Sequence, residues 1–118
     1  MDVDNPFIPP QAAALIDDLQ NSLHFSPVSI WEVAIKTARG KPEFQIDASD
    51  LRMGLLRRSY IEIAVTGAHA IVAGQLPPLH KDPFDRMLVA QATVESLTLI
   101  TADKALAAYP GPIRLVGQ

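Results

Sequence analysis

Three short runs rich in β-branched and aliphatic residues, YIEIAV (60–65), LTLI (97–100) and IRLV (113–116), are separated by stretches long enough for one or two helices. That order constrains the fold more than any other feature of the chain. A strand that pairs in parallel with a later one needs a crossover of a dozen residues or more, and a helix is the usual way to fill it. The segments before and between these runs read largely as helices. QAAALIDDLQ (11–20) places Ala12, Leu15, Ile16 and Leu19 on one face after Pro9-Pro10. PVSIWEVAIKTARG starts at Pro27, runs apolar through Ile30, Trp31, Ala34 and Ile35, and stops at Gly40. Further helices are predicted near Ala48–Ser59, from a Thr66 cap to about Gly74, from Asp82 to about Ser96, and over Ala102–Ala108. SLHFS (22–26) and LPPLHK (76–81) read as extended. The expectation is one α/β domain over residues 1–118 with a mostly parallel sheet.

Composition narrows the class. Hydrophobic residues make up 48% of the chain and charged residues 19%, which suits a packed core and not a disordered segment. There is no cysteine, so neither a disulfide framework nor a zinc–thiolate site is available. The apolar stretches are interrupted within a few residues, and MDVDNPFIPP has neither the basic start nor the apolar run of a secretory signal, so a soluble cytoplasmic protein is expected. The formal charge of -3 argues against a basic coat for nucleic acid. It does not exclude an enzyme acting on phosphates, because a bound cation reverses the local sign.

The acids carry the candidate chemistry. In HKDPFDRMLVAQA (80–92), Asp82 precedes Pro83 and reads as the helix N-cap. Asp85 lies one turn in, on a helix that is apolar nearly all round, with only a narrow polar strip near Arg86 and Thr93. A carboxylate there serves the helix dipole or a capping box, or it holds a cation. Glu32 stands four residues before Lys36, the spacing of a helix-surface ion pair. Asp103 follows the LTLI run in T-A-D; either Thr101 caps the next helix with Asp103 in its first turn, or Asp103 lies where open α/β sheets place ligands. Taken together, the three acids have the oxygen chemistry that hard divalent ions take, and such ions support phosphodiester hydrolysis. His24, His69 and His80 lack zinc-ligand spacing, and His69 reads as a mid-helix packing or surface residue. His80-Lys81 and Arg57-Arg58 are candidate phosphate contacts or simply solvated charge.

Three segments, SPVSIWEVAIKTARGK (26–41), LPPLHKDPFDRMLVAQA (76–92) and TLITADKALAAY (98–109), resemble in order and spacing the PIN-domain ribonucleases, specifically the VapC-type toxins of toxin–antitoxin pairs. The resemblance implies a three-layer α/β/α domain acting as a Mg²⁺- or Mn²⁺-dependent endoribonuclease on RNA. By position, Glu32, Asp85 and Asp103 match acidic metal-site residues of that family. Thr101 matches a supporting polar residue, and Arg86 a basic residue that steadies the acids or touches RNA. The resemblance further implies a homodimer silenced by a cognate antitoxin protein.

At its N-terminus the chain departs from that pattern. The family begins with a hydrophobic strand, central in the sheet, that ends in Asp-Thr or Asp-Ser and supplies the first metal ligand. Here NPFIPPQAAALI resembles the region after that strand, and Pro6, Pro9 and Pro10 make residues 1–10 a poor central strand. The expectation is a domain whose first strand and one metal ligand are missing, and Asp2 and Asp4 are not assigned as substitutes. Either the natural start lies upstream, or the short chain is a catalytically impaired protein that retains antitoxin or other protein binding. A generic α/β binding domain, its acids serving as caps and surface pairs, is the remaining alternative.

Overall fold

The computed structural model describes residues 10–42, 45–79, 82–101 and 103–116. The reading of the N-terminal ten residues as a poor strand, and of His80-Lys81 as phosphate contacts, falls almost wholly outside these. The element order is α1 (Pro10–Asp17), β1 (His24–Phe25), α2 (Pro27–Ala38), α3 (Ala48–Arg57), β2 (Ile61–Glu62), α4 (Gly67–Gln75), α5 (Pro83–Val94), β3 (Leu99–Thr101), α6 (Lys104–Ala107) and β4 (Ile113–Leu115). Helices alternate with short parallel strands, as an α/β chain of this pattern requires. Two units are distinguished, one formed by Ser22–Val65 and the other by the stretches flanking it.

In the Ser22–Val65 unit, β1 pairs in parallel with β2, His24 opposite Ile61 and Phe25 opposite Glu62. Both strands are shorter than YIEIAV suggested, and the reason is local. Ser26 leaves the strand to cap α2, its Oγ accepting from the Val28 N–H at 3.1 Å, and Pro27 starts the helix. Just past the paired residues, the Ile63 N–H bonds to the Phe25 carbonyl at 2.9 Å. Gly40, at φ 74°, closes α2 in the left-handed conformation that glycine adopts without strain. Asp47 caps α3 by accepting from the Asp50 N–H at 3.0 Å. Arg52 of α3 then donates in a fork to Glu62 of β2, at 2.7 and 2.9 Å.

The same turn launches a strand from α3 and from α5. Ser59 and Ser96 take the left-handed position after each helix, with φ of 67° and 56°. The following N–H reaches back to the third-last helical carbonyl, Tyr60 to Leu55 at 3.1 Å and Leu97 to Ala92 at 2.9 Å. These are Schellman closures with serine where glycine is usual.

In the flanking unit, α1 ends at Asp17, short of the predicted helix to residue 20. Asp18 accepts from the Gln20 N–H at 2.9 Å, a local turn that competes with the helix, and Leu19 is left fully exposed instead of on an apolar face. α4 packs along α5, and β3 pairs in parallel with β4, Leu99 opposite Ile113 and Thr101 opposite Leu115. Val89 of α5, Leu106 of α6 and Tyr109 form the core, with Leu76, Leu99 and Ile113 packed against them. Each such aliphatic or aromatic side chain contributes about 1.5–3 kcal/mol when buried. Val89, Ala90, Gln91 and Ala92 are buried in succession, so α5 is enclosed nearly all round, as its sequence implied.

Candidate functional site

The start of α5 separates two carboxylates by role. Asp82 is the N-cap, its Oδ1 accepting from the Phe84 N–H at 2.9 Å and the Asp85 N–H at 3.4 Å, and Pro83 opens the helix. Asp85 follows as the third helical residue, half-buried, where the N-terminal end of the helix dipole favours an anion.

Arg86 does not belong to an outward polar strip. Its Nη1 donates to the Pro77 carbonyl at 3.0 Å and the Tyr109 hydroxyl at 3.1 Å, and its Nη2 to the carbonyls of Ala73 at 2.8 Å and Leu76 at 3.0 Å. The planar fork thus takes up the Ala73 carbonyl in the last turn of α4 and the Leu76 and Pro77 carbonyls just beyond it, where a cation is also favoured by the helix dipole.

At the carboxyl end of β3 the structure corrects the cap reading. β3 runs through Thr101, so Thr101 is a strand residue and not the cap; its Oγ1 accepts from the Asp103 N–H at 3.0 Å. Asp103 is the N-cap of α6, its Oδ1 accepting from the Ala105 N–H at 2.9 Å. The side chain is exposed and lies just beyond the strand end, where ligand sites of α/β sheets are found.

Glu32 lies in the second turn of α2, half-buried, with Lys36 Nζ at 3.8 Å from its Oε2. That pair has the expected helix spacing, and at this distance with an exposed lysine it contributes little. Asp85, Arg86, Thr101 and Asp103 belong to one unit and Glu32 to the other. Within neither unit do three or more His, Asp or Glu side chains among the described residues gather around a common point for a metal ion. The donor chemistry itself fits a hard divalent ion, since the candidates offer carboxylate and hydroxyl oxygens only.

Two hydrogen-bonding roles escaped the sequence reading. Tyr109 is 3% exposed and takes the Arg86 hydrogen bond; a buried tyrosine needs a partner for its hydroxyl, which is the only signal the sequence carried. His69 is wholly buried and is not mid-helix, because α4 begins at Gly67. It forms a capping box with Thr66, whose N–H donates to His69 Nδ1 at 3.0 Å while Thr66 Oγ1 accepts from the His69 N–H at 3.4 Å. The ring proton therefore sits on Nε2, 3.2 Å from a Glu95 oxygen.

Helices alternating with parallel strands, acids at the head of α5, and Asp103 at once capping α6 and lying beyond the carboxyl end of β3 are what this geometry defines. The chain matches the PIN domain over residues 8–112 and belongs to that family, a family of nucleases. No curated protein and no solved structure gives a significant match. Among the described residues, no helix is long and apolar enough to cross a membrane.

Proposed function

We propose that residues 1–118 form one PIN-like domain acting as a divalent-metal-dependent endoribonuclease, the VapC-type toxin of a toxin–antitoxin pair. The observation that carries this reading is the PIN match over residues 8–112, which spans all the candidate acids. Glu32, Asp85 and Asp103 supply carboxylate oxygens to Mg²⁺ or Mn²⁺. Thr101 orients Asp103 by accepting its N–H, and Arg86 braces the first turn of α5. When bound, the ion activates water and stabilises charge on the phosphoryl group under attack. It also brings positive charge to a chain whose own formal charge is -3, which is what an RNA substrate requires. A cytoplasmic homodimer held silent by its antitoxin completes the proposal.

The test is a Mn²⁺ titration followed by electron paramagnetic resonance, run beside cleavage of a labelled RNA pool. Wild type binds Mn²⁺ and cleaves, chelator stops cleavage, and Asp85→Ala loses both. An Asp85→Ala protein that keeps both sinks the ligand assignment. A second reading, a PIN-like protein that binds its antitoxin without cleaving, is favoured by the cap that Asp103 provides to α6 and the Glu32–Lys36 pair. It predicts complex formation with no cleavage at any Mn²⁺ concentration.

A further inference from the structure

Asp85 and Asp103 stand on separate elements of one unit, so something must fix one carboxylate relative to the other. Arg86 follows Asp85 on α5, and its side chain leaves the helix about 100° further round. A rotation of that first turn moves both residues together. The Arg86 guanidinium is held by the carbonyls of Ala73, Leu76 and Pro77, which lock the turn against the end of α4. Its fourth bond is to the Tyr109 hydroxyl at 3.1 Å. Tyr109 is tied in turn to α6: its N–H donates to the Leu106 carbonyl at 3.1 Å, and its ring packs with Leu106 and Val89. α6 is the helix that Asp103 caps.

We infer that Arg86 and Tyr109 form a clamp between α5 and α6 that sets how the Asp85 and Asp103 carboxylates are presented to a divalent ion, with Tyr109 as a positioning residue. The inference rests on reading Asp85 and Asp103 as metal ligands. Mg²⁺ demands near-ideal octahedral geometry at about 2.0–2.1 Å, so small shifts of a carboxylate are costly. Partners that orient metal ligands from behind commonly change affinity by about ten- to a hundredfold. The choice of arginine follows from geometry, because a planar fork can reach four acceptors at once, whereas a lysine ammonium has three donors on one point.

Tyr109→Phe deletes only the hydroxyl and leaves Arg86 its three carbonyls, so the fold is kept. Mn²⁺ affinity is measured by electron paramagnetic resonance on the full chain, well below its unfolding temperature. The set is wild type, Tyr109→Phe, Arg86→Lys, Asp85→Ala and Glu95→Ala. The last breaks the His69 link at the far end of α5 and so lowers stability without touching the clamp. Tyr109→Phe and Arg86→Lys are expected to weaken Mn²⁺ binding by about tenfold, with Glu95→Ala unchanged and binding lost in Asp85→Ala. Wild-type affinity in Tyr109→Phe, with binding lost in Asp85→Ala, overturns the clamp and leaves the ligand reading standing. Equal weakening by Glu95→Ala assigns the effect to general stability and also overturns the clamp. No saturable binding by wild type, or none lost in Asp85→Ala, overturns the ligand reading and the clamp with it.

Discussion

Replacing His69 with alanine removes three interactions at once, and their sizes can be worked out separately. The Thr66 N–H loses its acceptor at 3.0 Å. Thr66 is exposed, so water can take over that N–H, and losing this half of the capping box costs about 0.5–1 kcal/mol. The link from Nε2 ends on a Glu95 side chain that is 41% exposed, so solvent screens it and it contributes about 0.5 kcal/mol. The packing of the ring is the largest part. A wholly buried side chain cut back to Ala forfeits about 2 kcal/mol through lost contacts and the cavity left behind. The expected loss is therefore about 3 kcal/mol, a large share of the roughly 5–15 kcal/mol that holds a domain together. Urea unfolding followed by circular dichroism measures it as a lower midpoint at unchanged slope. Thr66→Ala, which removes an acceptor 3.4 Å from the His69 N–H, costs about 1 kcal/mol or less. A double-mutant cycle of His69→Ala with Glu95→Ala isolates the ring–carboxylate link at about 0.5 kcal/mol. A His69→Ala loss below about 1 kcal/mol refutes the buried capping role.

Two further outcomes concern the strand-launching turns and the α3–β2 fork. Ser96→Gly relieves a left-handed residue at φ 56° and raises stability by about 0.5–1 kcal/mol in a thermal melt; a loss instead means the serine side chain holds the turn. Arg52 hydrogen-bonds to Glu62 and holds its carboxyl below the ordinary 4.5, with their charge attraction acting in the same direction and burial opposing. A lowered native value means the fork stabilises the fold above the ordinary glutamate range, and the contribution is lost as pH falls through the native value. Wild type and Glu62→Gln should therefore differ in urea midpoint at neutral pH and converge in acid, with added salt shrinking the gap. A gap that widens in acid contradicts the assignment.

How much of this could be read from the residues depended on whether the signal was local. The helix at Pro83 was legible because Asp82 and Pro83 are each selected by backbone groups one to three residues away. The α2 start and the Thr66 cap were legible for the same reason. At the end of β3 the residues left two readings open, Thr101 as the cap of the next helix or Asp103 just beyond the strand end. What decided between them was the chain just past β4, where the Val116 N–H bonds to the Thr101 carbonyl at 2.9 Å and keeps Thr101 in the strand. His69 was misplaced because a histidine at the third helical position is not the Glu or Gln that usually completes a capping box. The partners of Arg86 were not legible because they lie nine to twenty-three positions away, beyond any periodicity argument. The metal-site reading of Glu32, Asp85 and Asp103 came from their pattern and family resemblance, neither of which states a distance.

The Arg86 fork also has a thermal consequence. A guanidinium that gives up water for four protein acceptors bears a desolvation cost, and hydration of ions becomes less favourable as temperature rises. That cost therefore shrinks on heating, while the stabilisation from burying Val89 and Leu106 levels off. On this account the grip of α5 on the end of α4 weakens least with temperature, and the seam around Arg86 should be among the last parts of its unit to open on warming.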